Sequence, residues 1–145
     1  MSSPEGAAPR TSGAQDVGRL VLAVALIVAG LGHLLWARED FQAQVPAWIG
    51  VDVDIVVVAS GVMEIALGTM LVVARQHRAA VGWATAAFFV LIFPGNIAQY
   101  MEGADAFGLD SDGSRAARLA LQPVLVAAAL WATGAWSAWR ARGRA

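Results

Sequence analysis

Five side chains in this 145-residue chain can do chemistry where polar groups are costly: His33, Glu64, Asn96, Gln99 and Gln122, each set within or beside a long apolar run. A histidine and a carboxyl can hold or move a proton. The three amides can both donate and accept hydrogen bonds. Inside a membrane helix such groups are rare and face a bundle interior or a cavity. At ~1.5 Å per helical residue, His33 lies ~5 Å from the end of its run, Gln122 ~6–10 Å, and Asn96 and Gln99 within ~10 Å. Glu64 is deeper, ~15 Å in and close to the middle. All five fall in one half of their runs or at the middle, which points to one shared site.

Each residue also has a plainer structural role. Glu64 can be a neutral acid joining two helices, or the ion-pair partner of Arg118 or His33. His33 is near enough to an interface to be half-solvated. Each amide can be a helix-packing bond, worth of order ~1 kcal/mol. Pro94 and Pro123 are read as structural kinks, because each removes a backbone donor and crowds a carbonyl one turn back, that of Val90 or Leu119. Freed carbonyls at membrane depth need a partner, and Asn96 in "FPGNI" is expected to supply one. Gly61, Glu64 and Gly68 share one helical stripe, as do Gly30 and His33, and Arg115, Arg118 and Gln122. The glycines let neighbouring backbones approach.

The elements that must position these groups follow from composition. Hydrophobic residues make up 58% and charged residues 14%, with mean hydropathy +0.59. Four apolar stretches, Leu20–Trp36, Ile55–Ala74, Ala79–Met101 and Leu119–Trp136, each approach the ~20 residues that cross a ~30 Å hydrocarbon core. The predicted fold class is all-α: a polytopic membrane protein with four transmembrane helices in an up-down bundle. A short interfacial helix is expected at Asp40–Gln44 in the first outer loop, ended by Pro46, with its apolar side on the bilayer. Residues 1–16 read as a disordered polar tail, 17–138 as the transmembrane domain and 139–145 as a basic cytoplasmic tail. The first stretch lacks a basic start and a small-residue exit, so it is read as a membrane helix and not as a leader.

The chain has no lysine, and seven of its ten arginines fall at the termini and the "RQHR" turn. The positive-inside rule therefore predicts both termini and the "RQHR" turn in the cytoplasm. Trp131, Trp136 and Trp139 suit the cytoplasmic interface, and Trp36, Phe41 and Trp48 the outer one. A net charge of −1 gives no support to nucleic-acid binding. With no cysteine, thiol chemistry and cysteine-held clusters within this chain are excluded. No metal site is expected, since His33 and Glu64 cannot fill a coordination sphere and His77 lies at the opposite face. "DSDG" in the second outer loop lacks the distal glutamate of a calcium loop.

Four motifs occur in order: "GLGHLLW", "FQAQVPAW", "SGVMEIALG" and "FPGNI". Together, from Val17 to Trp136, they resemble the DoxX-like family of small four-helix bacterial membrane proteins. The positions that match are His33, Phe41, Pro46, Gly61, Glu64, Gly68, Pro94 and Asn96. "WARED" follows the histidine where relatives often carry a proline. The resemblance implies a bacterial inner-membrane location and a link, in some relatives, to quinone-coupled sulfur oxidation or membrane redox-protection complexes. The expected function is thus a membrane accessory subunit whose outward-facing pocket, built from His33, Glu64, Asn96, Gln99 and Gln122, takes a quinone or similar lipophile. Glu64 and His33 would handle protons for a membrane or peripheral redox enzyme. No covalently bound cofactor is expected, and catalysis by this chain alone is not. A carrier for a small lipophile, which would need a homo-oligomer, and a noncatalytic assembly or anchor subunit are the alternatives.

Overall fold

The computed structural model describes residues 10–144. The first nine residues of the expected polar tail lie outside that range. Residues 13–16 are not tail: they open α1, Gly13–Leu35. Ser12 and Gln15 form a reciprocal capping box, and Asp16 sits in the first turn, where a negative charge favours a helix N-terminus. The chain continues through α2 (Arg38–Gln42), a 3-10 turn at Ala47–Ile49, α3 (Val53–Val73) and a tight 3-10 turn at Arg75–His77. It then forms α4 (Arg78–Glu102), α5 (Asp112–Ala132) and α6 (Ala135–Arg142). Among the described residues every regular element is helical.

α1, α3 and the helical segment Arg75–Glu102 are each long and apolar enough to cross a membrane. The fourth stretch departs from expectation. It is not one straight run to Trp136 but two helices, α5 and α6, meeting at 68°, and the pair counts as a fourth span only if taken together. Gly134 at the elbow has φ 70°, a left-handed conformation open to glycine without penalty. The basic tail expected from residue 139 is helical as far as Arg142.

α1 packs chiefly on α3, and α4 on α5. Glycines set both seams. A Cβ on Gly30 would fall 2.5 Å from the Gly61 carbonyl oxygen, and one on Gly68 would fall 2.8 Å from that of Ala23. On the second seam Gly82 lies directly against the Thr133 side chain. The core between the pairs is aliphatic and aromatic: Leu22, Leu26, Leu67, Leu71, Phe88 and Phe89. At one end buried Arg19 of α1 donates to the Leu71 carbonyl of α3. At the other end His33, late in α1, meets Val57, early in α3.

The connection after α1 forms one helical turn at Arg38–Gln42, slightly before the expected Asp40–Gln44. Phe41 was expected at a bilayer surface. Its ring is stacked on His33 instead, with centroids 3.3 Å apart, because the returning chain folds α2 across the ends of the long helices. The α2–α3 connection is also tied down by Arg38 and Gln42, which both reach Asp54 Oδ1, at 2.8 and 3.1 Å.

Candidate functional site

Where α1 and α4 finish and α3 and α5 begin, the helices enclose a cavity of about 420 Å³. Its walls are largely apolar, and its polar groups are few: His33, Gln44, Ser60, Glu64, Asn96 and Arg118. Leu91 and Trp48 line it while remaining 75% and 72% exposed, so the cavity opens through the flank of the bundle.

His33 is not half-solvated: it is 6% exposed, as is Glu64. The His33 Nδ1 lies 3.1 Å from the Val57 carbonyl oxygen. A carbonyl only accepts, so Nδ1 carries the hydrogen. Nε2 then faces Glu64 Oε2 at 3.2 Å. Two bare acceptors would repel at that distance, so one proton belongs between them, either on the carboxyl or on the ring. In both cases the pair is neutral overall. Oε2 has no aligned hydrogen-bond partner, and Glu64 lines the cavity. This is a buried proton-holding pair on the cavity wall.

The proline kink is served differently from expectation. Gln122 Nε2 donates to the Phe89 carbonyl at 2.6 Å, one residue before the Val90 carbonyl that Pro94 crowds. Asn96 Nδ2 in turn donates to Gln122 Oε1 at 3.0 Å. Gln122 thus supports the kinked segment and Asn96 supports Gln122. Facing a carbonyl fixes which end of the Gln122 amide is the donor. Gly95 has its own role: a Cβ there would fall 2.8 Å from the Gln44 carbonyl oxygen. "FPGN" therefore bends α4, admits the loop backbone and anchors the bend to α5.

Of the five expected ligand-binding residues, His33, Glu64 and Asn96 line the cavity. Gln122 stands behind Asn96 as its bonding partner. Gln99 is fully buried and donates to the Ala104 carbonyl just beyond its own helix, at 3.4 Å. Pro94 lines the cavity, whereas Pro123 lines a separate apolar groove of about 430 Å³ at the α5–α6 elbow. Among the described residues no three His, Asp or Glu side chains form a metal-binding cluster.

Four participants were not in the expected site: Arg118, Gln44, Phe41 and Phe107. Arg118 lines the cavity, and its Nη2 donates to Gln44 Oε1 at 2.9 Å. Its guanidinium carbon also lies 5.1 Å from the centroid of Phe107. Phe107 completes an aromatic cover, edge-on to Phe41 at 4.7 Å, with its N–H donating to Asp40 Oδ1 at 3.0 Å. Phe107 has φ 56°, a left-handed conformation costly for a bulky side chain. Arg118 was legible, since it shares a helical stripe with Gln122. Gln44 and Phe41 were not, because their placement depends on how the loop returns.

These features define a helical bundle with a flank-opening apolar cavity that ends in a proton-holding pair and one arginine. The chain belongs to the family described as a domain of unknown function, DUF8561, whose model matches residues 22–133. No curated protein matches it. No solved structure matches it either.

Proposed function

We propose that this chain is a membrane accessory protein that binds a lipophile with an oxygen-bearing head group, a quinone or a similar molecule, on behalf of a redox partner. The observation that carries this reading is the buried His33–Glu64 pair on the wall of an otherwise largely apolar cavity of about 420 Å³. Apolar walls with a few convergent polar groups are the usual form of a small-molecule site. The His33–Glu64 pair would exchange a proton with the bound head group. The resemblance to the DoxX-like family leads to the same redox setting.

In this reading the chain crosses the bacterial inner membrane four times as an up-down bundle, with both termini cytoplasmic, and the cavity lies toward the outer face. α2 lies at the outer interface as a cover. α5 and α6 together supply the fourth crossing, with Trp136, Trp139, Arg140 and Arg142 suited to the cytoplasmic head-group region.

Mass spectrometry of organic extracts from protein purified in mild detergent tests the proposal, with Glu64→Ala and Asn96→Ala beside the wild type. A stoichiometric lipophile with an oxygen-bearing head group in the wild type, absent from both folded variants, is expected. A lipophile without such a head group, lost in the same way, would favour a carrier and call for flux measurements in proteoliposomes. A wild type with no extractable ligand, which also takes up none when reconstituted with quinone, would leave an assembly subunit.

A further inference from the structure

We infer that the cavity is built for an acidic lipophile, with a carboxylate-type head group on an apolar chain. This rests on the reading that the cavity binds a lipophile, and it specifies the head group.

The first argument is the polarity of the available atoms. Gln44 spends its acceptor oxygen on Arg118. Its donor nitrogen Nε2 is buried without a partner. Both Gln44 and Arg118 line the cavity. What they turn toward a ligand is therefore N–H donors, and their complement is a group of acceptor oxygens.

The second argument is charge. The His33–Glu64 pair holds one shared proton and is neutral, as its geometry requires. Arg118 is a cation, because a guanidinium does not lose its proton in proteins. Among the described residues it makes no ion pair: Asp105 and Asp112 are engaged by Arg115 at 2.5 and 2.9 Å, and Asp54 by Arg38. Asp40 is occupied by the Phe107 N–H. The groups Arg118 touches are a neutral amide and an aromatic face, and Glu64, the carboxyl on the same cavity wall, is spent in the neutral pair with His33. A positive charge beside an apolar cavity thus lacks a counter-ion, and unpaired charges in such places are costly. A quinone carbonyl or an alcohol would accept the hydrogen bonds but leave the charge unbalanced. A carboxylate meets both demands, and its two oxygens match the guanidinium fork. The chain of such a ligand would run along the apolar walls toward Leu91.

The test uses the full chain in lipid nanodiscs and three labelled probes of equal chain length: decanoate, decanol and a decyl-substituted benzoquinone. Saturable binding per chain is measured for each. Decanoate is expected to bind about tenfold more tightly than the other two, the scale of exchanging a neutral hydrogen bond for a charge-assisted one. Arg118→Gln is expected to remove that lead. Gln44→Leu, which deletes the unpaired donor and keeps the charge, should narrow it and serves if Arg118→Gln does not fold. Decanol or the quinone binding as tightly as decanoate overturns the acidic head group and leaves the lipophile reading standing. An undiminished lead in whichever variant folds overturns the roles assigned to these two residues. Saturable binding of none of the probes overturns both the inference and the reading beneath it.

Discussion

The α4–α5 pair solves the same problem twice, in opposite ways. Near the α6 end, Gly82 receives Thr133, and the hydroxyls of Thr85 and Thr133 bond back to carbonyls of their own helices at 2.8 and 2.7 Å. Both threonines are completely buried, and the polar atoms there are spent within each helix. Near the cavity, Pro94 bends α4, Gln122 reaches across to Phe89, and Asn96 braces Gln122. The polar atoms there are spent between helices. The first arrangement allows the backbones to touch. The second bridges them through side chains, and Pro94 and Asn96 of that bridge line the cavity. Polarity in a helix interface is thus no sign of a site by itself; what matters is whether its hydrogen bonds close on one helix or span two.

That contrast is broken most severely at the close-packed end. Gly82→Val has no room beside Thr133 and should cost about 3 kcal/mol, the upper part of the range for overpacking. Thermal unfolding in detergent would measure it, and a loss under half that would mean the seam is looser than described. At the open end, Gln122→Leu strands the Asn96 amide and the Phe89 carbonyl. A cost of about 2 kcal/mol is expected, and combining it with Pro94→Ala should be non-additive in a double-mutant cycle. Simple additivity would separate the glutamine from the kink.

Gly95→Ala should push the Gln44 backbone away at about 1–2 kcal/mol, within the range for overpacking. Hydrogen exchange through residues 38–49 should rise more than in the long helices; an equal rise everywhere would argue against a local cover. Glu64→Gln keeps the shape and can still donate to His33 Nε2, so stability should stay within about 1 kcal/mol of wild type. Ligand retention should fall nonetheless. Asp112→Asn removes one partner of Arg115 at a position 88% exposed, and the expected change is below about 0.5 kcal/mol.

The all-helical class, the helices long and apolar enough to span a membrane to within one bent pair, and the glycine seam of Gly30, Gly61 and Gly68 were legible from hydropathy and spacing. So were His33, Glu64 and Asn96 as neighbours in space, because depth along a span can be counted. Facing across helices could not be counted. Gln99 follows Asn96 by three residues, yet that spacing leaves enough rotation for Asn96 to reach α5 while Gln99 turns to its own C-terminal loop. Asn96 was expected to satisfy the freed Val90 carbonyl, but it bonds Gln122 instead, and the longer Gln122 side chain reaches the adjacent Phe89 carbonyl from the neighbouring helix. Phe41 carries the ordinary signature of an interfacial aromatic. Only the path of the loop, held by Arg38, Gln42 and Asp54, turns it inward onto His33.

On the proposal that the cavity takes a lipophile within a membrane, the opening past Leu91 and Trp48 alters what concentration means for this protein. A solute arriving through the flank comes from the surrounding film of lipid, so occupancy follows the number of ligand molecules per lipid and not per litre. Adding empty vesicles should drain the site while total ligand stays fixed. A cell could load or empty the protein by remodelling its membrane, with no signal crossing the water on either side.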